Sequence, residues 1–249
     1  MLSTTSYGGR VQTTPLLIAH GLFGSARNWG TVAKTLSENR PVTAVDMRNH
    51  GDSFWADTHS YLDLAADLAS SVRGKHDVLG HSMGGKAAMT LALTQPDRVR
   101  RLIVADIAPV EYAHSQLDLI EAMQSLDLSQ ISSRSEADKA LAAKVDDPLV
   151  RAFLLQSLKV REGRWSLNLE ALGNEMANIM SFPDIDATFT GPTLFLAGGR
   201  SDYIREDYSA SIKRLFPKAM VEVIPNAGHW LHAEEPSQVI DAVNDFLSD

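Results

Sequence analysis

The chain has 249 residues, 44% of them hydrophobic and 22% charged, a composition that excludes a disordered, collagen-like or coiled-coil protein. Lysine and arginine number 23 against 31 aspartate and glutamate residues, and the resulting formal charge of −8 repels nucleic acid, which we do not expect as a partner. The absence of cysteine excludes disulfides, thiolate metal ligands and a cysteine nucleophile. No segment approaches the ~20 apolar residues that span a membrane, and we expect a cytoplasmic protein.

Short apolar runs alternate with segments of helical periodicity, which predicts an α/β fold with a mostly parallel central sheet flanked by helices. The predicted strands are residues 16–19, 42–46, 77–79, 102–105, 193–197 and 221–224. The predicted helices around them are residues 29–36, 61–72 and 236–247.

The pattern breaks between Pro109 and Pro192, where the chain shows helical periodicity but no convincing strand. This segment, about 109–192, is predicted to be a helical cap or lid insertion over one end of the sheet. No repeat or linker divides the chain, so we expect a single domain over residues 1–249.

The strongest chemical signal is G-H-S-M-G at residues 80–84, between a predicted strand and a helix of small residues. This is the context of a nucleophile elbow, and it favours Ser82 as the nucleophile over a simple helix-capping serine. Gly80 and Gly84 are expected where a β carbon would clash with neighbouring backbone. A dinucleotide or phosphate loop is not indicated, because G-x-G-x-x-G and G-K-[ST] are absent.

A serine hydroxyl needs a base, and the base needs an orienting acid. His229 follows the last predicted strand, where a loop can return it to the carboxyl edge of the sheet, and it is the predicted base. Two aspartates follow earlier strands and can serve as the acid, Asp106 and Asp202. The chain order of serine, acid and histidine leaves both open, and the other is expected to be a turn or capping residue.

Four other histidines near the predicted site have expected roles outside the chemistry. His20 and His50 follow predicted strands and are interpreted as loop organisers rather than bases. His232 is expected at the surface or at a helix cap, and the His81 side chain is expected to point away from Ser82.

The sequence H-G-L-F-G at residues 20–24 follows the first apolar strand and predicts half of an oxyanion hole. In this architecture the N–H after the nucleophile, that of Met83, acts with an N–H of this early loop, for which we assign Leu22. The alternative is an ordinary glycine turn between a strand and a helix.

The ordered motifs H-G-L-F-G-S, D-M-R-N-H-G, G-H-S-M-G-G-K and D-I-A-P-V resemble the α/β-hydrolase superfamily, and within it the small single-domain bacterial carboxylesterases. The resemblance spans nearly the whole chain. It implies an α/β-hydrolase fold, and it places the catalytic roles on Ser82, His229 and, in D-I-A-P-V, Asp106. This chain departs from those relatives by retaining Asp202, which stays the alternative acid.

The resemblance implies a serine hydrolase that cleaves small or short-to-medium-chain acyl esters through an acyl-enzyme, with no metal and no organic cofactor. Phe23 and Trp230, with the insertion, are expected to bind the substrate. Apolar residues of the insertion are candidates for the acyl pocket, although their helical spacing is more typical of core: Met123, Phe153, Leu154, Trp165, Met176 and Met180. The alternatives are an acyl thioesterase, another acyl transferase or perhydrolase, and a small-ligand receptor on a hydrolase fold.

Overall fold

One sheet of seven strands organises the computed structural model, which describes residues 1–8 and 13–248. Residues 9–12 and 249, which belong to the predicted domain, lie outside the described residues. The strands are β1 Thr4–Tyr7, β2 Leu16–Ala19, β3 Val42–Val45, β4 His76–His81, β5 Val99–Ala105, β6 Leu158–Lys159, β7 Arg164–Trp165, β8 Thr193–Gly198 and β9 Ala219–Ile224. The order across the sheet is β1-β3-β2-β4-β5-β8-β9, and a separate hairpin pairs β6 with β7.

All neighbouring strands of the large sheet run parallel except β1, which pairs antiparallel with β3, so the predicted mostly parallel sheet is confirmed. The strands β2, β4 and β8 are buried along their whole length, which explains the short apolar runs within them. The edge strand β1 was not predicted, because its sequence Thr-Thr-Ser-Tyr is polar and exposed.

Helices cover both faces of the sheet, and the two-residue period of the strands divides the core between them. The helices are α1 Gly30–Leu36, α2 Tyr61–Ser71, α3 Met83–Thr94, α4 Leu117–Gln124, α5 Arg134–Leu141, α6 Pro148–Leu154, α7 Leu169–Asn174, α8 Met176–Met180, α9 Ser209–Leu215, α10 Leu231–Glu234 and α11 Pro236–Leu247. Leu16 and Ile18 belong to the apolar cluster under α1 and α11, whereas Leu17 and Ala19 belong to the cluster under α2 and α3. Within the described ranges, no helix is long and apolar enough to cross a membrane.

The segment between β5 and β8 contains the helices α4 to α8. Asp147 caps α6 by accepting a hydrogen bond from Leu149 N–H, and Pro148 occupies its first turn. The same segment also contains the hairpin of β6 and β7, so the expectation of no strand there is wrong. Each hairpin strand has only two residues, too few for an alternating pattern to be visible in the sequence.

Candidate active site

Ser82 lies between β4 and α3 with φ 52° and ψ −120°, a positive-φ conformation that is unusual for a residue other than glycine. The turn is so tight that a β carbon at Gly80 would overlap the carbonyl of Gly84. A β carbon at Gly84 would lie 2.5 Å from the carbonyl oxygens of Ala19 and His20. Both positions therefore require glycine, as the motif predicts, and the backbone strain is concentrated at Ser82.

The structure brings Ser82, His229 and Asp106 into one hydrogen-bonded line. His229 Nε2 lies 3.1 Å from Ser82 Oγ, and His229 Nδ1 lies 2.7 Å from Asp106 Oδ2. A carboxylate only accepts hydrogen bonds, so the His229 proton resides on Nδ1 and Nε2 is free to accept the serine proton. Asp202 is exposed and does not belong to this line.

Asp106 is fully buried and directed inward by a positive φ of 51°. Its Oδ1 accepts the N–H of Gly198 at 2.9 Å, and its Oδ2 also accepts the hydroxyl of Ser201 at 2.5 Å. These donors compensate the loss of water around a buried carboxylate. They also fix which oxygen faces His229.

Two side chains that the sequence did not assign hold His229 in place. The ring of Tyr203 stacks on its imidazole, with centroids 4.0 Å apart and planes inclined by 22°. His81 Nε2 donates to the backbone carbonyl of His229 at 2.8 Å. The sequence predicted only that the His81 side chain points away from Ser82. It could not predict this contact, because the two residues are 148 positions apart along the chain.

His232 is buried, so the prediction of a surface or capping role is wrong. Its ring stacks on Trp29 with centroids 4.3 Å apart, because the chain after His229 turns inward as the short helix α10. Burial lowers the pKa of His232 to about 3, and its ring is therefore neutral at physiological pH.

The loop after β2 offers backbone N–H groups near Ser82. The N–H of Phe23 donates to His50 Nε2 at 3.2 Å, and that of Gly24 donates to the carbonyl of Gly21 at 3.0 Å. Leu22 lies in the same loop and borders the cavity described below. Met83 is the first residue of α3, so its N–H has no acceptor within the helix.

His20 and His50 organise this loop through both ring nitrogens, in agreement with the sequence. His20 Nδ1 donates to the Gly21 carbonyl at 2.8 Å, and its Nε2 accepts the N–H of Met47 at 2.9 Å. His50 Nδ1 donates to the carbonyl of Arg48 at 2.8 Å. Burial lowers the pKa of His20 to about 4 and that of His50 to about 3, which keeps both rings neutral.

A cavity of about 260 Å³ opens at Ser82 and His229. Phe23, Trp230 and Met83 line it, and so do Phe153 and Met180 from the insertion. The remaining apolar candidates of the insertion are buried in the core instead: Met123, Leu154, Trp165 and Met176. The sequence did not single out three further residues that line the cavity: Tyr61, Lys86 and Tyr112.

A nucleophile-elbow serine after a central parallel strand, followed along the chain by an aspartate and a histidine at strand ends, is the arrangement of α/β hydrolases. A family model described as "alpha/beta hydrolase fold" matches residues 14–236, and the chain belongs to this family.

Related proteins cover almost the whole chain. It is 40% identical to the sn-1-specific diacylglycerol lipase ABHD11 of Mus musculus, over 99% of this chain and 85% of the mouse protein. It is 36% identical to the esterase YbfF of Escherichia coli strain K12, over 95% of this chain and 94% of that protein. The solved structure of a marine microorganism esterase superposes with a TM-score of 0.93 at 39% identity, covering 98% of each chain. These findings confirm the predicted fold and the predicted resemblance to small bacterial esterases.

Proposed function

We propose that the protein is a serine carboxylesterase that cleaves small or short-to-medium-chain acyl esters through an acyl-enzyme intermediate. The single observation that carries the proposal is the line from Ser82 Oγ through His229 to buried Asp106, which opens on an apolar cavity. We assign Ser82 as nucleophile, His229 as general base and Asp106 as the orienting acid, with Asp202 outside the site.

The class of enzyme rests on the comparisons. Relatives that are 36–40% identical over most of this chain are named as esterases or lipases. The chain is accordingly a carboxylic ester hydrolase, as the sequence predicts. We propose small ester molecules as its substrates, which is in keeping with the esterase and lipase names of these relatives.

In the first half of the reaction, Ser82 Oγ attacks the ester carbonyl carbon while its proton passes to His229 Nε2. The carbonyl oxygen becomes an oxyanion, and His229 becomes an imidazolium whose Nδ1–H bonds to the Asp106 carboxylate. Collapse of the tetrahedral intermediate breaks the bond to the alcohol oxygen, which takes the proton from Nε2. The alcohol leaves and the acyl group stays on Ser82.

In the second half, His229 Nε2 takes a proton from a water molecule while the water oxygen attacks the acyl carbonyl carbon. The second tetrahedral intermediate expels Ser82 Oγ, which recovers its proton from His229. The products are a carboxylic acid and the regenerated enzyme. No step requires a metal or an organic cofactor.

We assign the oxyanion hole to the N–H groups of Leu22 and Met83. Met83 supplies an N–H at the start of α3, where no intrahelical acceptor competes for it. Leu22 is favoured within its loop because the N–H groups of Phe23 and Gly24 are already bonded. Both assigned donors belong to residues that line the cavity.

Phe23 and Trp230, which both line the cavity, are proposed to contact the substrate. Trp230 packs against Phe153 of the insertion, with ring centroids 5.2 Å apart, so the core and the insertion together enclose the acyl group. A volume of about 260 Å³ lies just below the ~300–1,000 Å³ of ordinary ligand pockets, which favours short-to-medium acyl chains. We further propose that residues 1–249 form one domain with residues 109–192 as its cap. The cytoplasmic location stays a prediction.

Steady-state hydrolysis of p-nitrophenyl esters from acetate to laurate, by wild type and Ser82→Ala in parallel, tests the proposal. We expect multiple turnovers in wild type, a preference for shorter chains, and complete loss in Ser82→Ala. Failure of the folded wild type to turn over any ester would refute the proposal in favour of a receptor. Added alcohol or peroxide that diverts most of the acyl group from water would favour an acyl transferase or perhydrolase. A higher kcat/KM for matched thioesters would favour a thioesterase.

A further inference from the structure

Lys86 is a buried lysine one helical turn after Ser82. It belongs to α3, its N–H donates to the Ser82 carbonyl at 3.0 Å, and the whole residue is only 1% exposed. Helical side chains lean toward the N-terminus of their helix, so the Lys86 stem extends back toward the site, and the residue lines the cavity. The proposed mechanism gives this ammonium group no role.

The partners of Lys86 are backbone carbonyls of the insertion. Its Nζ donates to the carbonyl of Met180 at 2.9 Å and to that of Ser181 at 2.5 Å. These residues form the C-terminal end of α8, where helix carbonyls have no intrahelical donor. No carboxylate lies within 4 Å of Nζ in the part of the chain that the structure describes, so the carbonyls are its principal polar partners.

Two tyrosines reinforce the same attachment. The hydroxyl of Tyr61 donates to the carbonyl of Ile179 at 2.6 Å, and the N–H of Tyr112 donates to that of Met180 at 3.0 Å. The rings of Tyr61 and Tyr112 also face the ammonium, with centroids 5.7 and 4.8 Å from Nζ. Three consecutive carbonyls at the end of α8 are thus bound by groups outside the helix.

Burial opposes the charge of Lys86 and lowers its pKa to about 7, while the negative charge of Glu111 acts in the opposite direction. An apolar side chain could fill the same space without the desolvation free energy that a buried ammonium group costs. The contacts of the Lys86 ammonium with the end of α8 indicate a role in shaping the cavity, because Ile179 and Met180 form part of the cavity wall.

We propose that Lys86 is a positioning residue that determines acyl-chain specificity, by holding the end of α8 so that Ile179 and Met180 close the acyl cavity. This inference rests on the proposed esterase function. Without the ammonium, the Ser181 carbonyl loses its donor and the Met180 carbonyl keeps only the N–H of Tyr112. The end of α8 is then held less firmly, and the cavity wall formed by Ile179 and Met180 moves outward. The cavity then accepts longer acyl chains.

The test compares Lys86→Met, which keeps an unbranched stem without the charge, with Thr90→Val. Thr90 is the matched control because it is buried one turn further along α3, and its hydroxyl bonds only within the helix, to the Lys86 carbonyl. For Lys86→Met, the ratio of kcat/KM for p-nitrophenyl laurate to that for the butyrate should rise about tenfold, as expected for losing a charge-assisted hydrogen bond. The ratio should be unchanged in Thr90→Val.

Amide hydrogen exchange of residues 176–182 provides a readout that does not depend on turnover. It should be faster in Lys86→Met than in wild type and unchanged in Thr90→Val. A chain-length ratio within about twofold of wild type, even with every ester slowed equally, would overturn the specificity role. Unchanged exchange would overturn the attachment itself.

Should Lys86→Met fail to fold, Tyr61→Phe gives the same test, since it removes the hydroxyl from the Ile179 carbonyl. A smaller rise of the same ratio is expected, and an unchanged ratio refutes the inference. A folded wild type that hydrolyses no ester marks failure of the proposed function instead. The exchange measurement then still decides whether Lys86 holds α8.

Discussion

Replacing Asp106 by asparagine changes the orienting acid by one group while preserving its shape. Gly198 N–H donates to Oδ1 at 2.9 Å, and a backbone N–H cannot accept a hydrogen bond. The amide oxygen of the new side chain must therefore face Gly198, which turns its NH₂ group toward His229. Ser201 tolerates this orientation, because its hydroxyl can accept as well as donate.

An NH₂ group facing His229 Nδ1 selects the tautomer with the proton on Nε2. That nitrogen lies 3.1 Å from Ser82 Oγ and then carries a proton instead of accepting one. The neutral amide also fails to stabilise the imidazolium. Together these effects predict a decrease of about 10³–10⁴-fold in kcat for Asp106→Asn, or about 4–5.5 kcal/mol of transition-state stabilisation.

The assay is steady-state p-nitrophenyl butyrate hydrolysis at neutral pH, after circular dichroism has verified that each variant is folded. Asp202→Asn is the matched control, because Asp202 is exposed and should retain activity within about twofold. A decrease of less than tenfold in Asp106→Asn, or a larger decrease in Asp202→Asn, would refute the assignment of the acid. Full activity in both variants would remove His229 from the role of base.

Three further predictions follow from contacts around the site. His81→Leu removes the donor to the carbonyl of the proposed base, so kcat should decrease about tenfold with KM nearly unchanged; an unchanged kcat contradicts this positioning role. Gly84→Ala places a β carbon 2.5 Å from two carbonyl oxygens, and urea unfolding should show a loss of about 3 kcal/mol, at the upper end of the usual cost of overpacking; near-wild-type stability would contradict the tight elbow. Burial lowers the pKa of His20 to about 4, and those of His50 and His232 to about 3, from the usual 6.5. The unfolded chain therefore binds protons first on acidification, so the free energy of unfolding is complete above about pH 6.5 and decreases by roughly 2 kcal/mol per histidine by pH 5; equal stability at about pH 7.5 and pH 5 would contradict this.

The sheet, and the positions of Ser82 and His229, could be predicted because each depends on local sequence. Buried parallel strands such as β2 and β8 contain short apolar runs, and the motif around Ser82 needs glycine two residues away on either side. His229 follows from its place directly after the last strand. The short hairpin of β6 and β7 and the polar edge strand β1 were missed because neither produces an apolar pattern.

The acid and the contacts behind the site could not be decided from sequence. Asp106 and Asp202 both follow parallel strands, so both reach the same edge of the sheet. They differ in burial: Asp106, with a positive φ of 51°, lies in the interior, while Asp202 remains at the surface. Lys86 illustrates the same limit, since its partners are 94 and 95 positions away along the chain.

The loop after β2, which we call the oxyanion loop, is organised by two buried histidines that carry no charge. His20 and His50 each donate from Nδ1 to a carbonyl and accept a backbone N–H at Nε2, a pairing possible only for a neutral imidazole. Because burial keeps both rings neutral, the loop is held without a fixed charge close to Ser82. The charges that develop during ester cleavage, an oxyanion and an imidazolium, are then stabilised by oriented N–H groups and by Asp106 rather than being opposed by the scaffold. A protonated His50 could not accept the N–H of Phe23, so the geometry of the oxyanion loop depends on that neutrality.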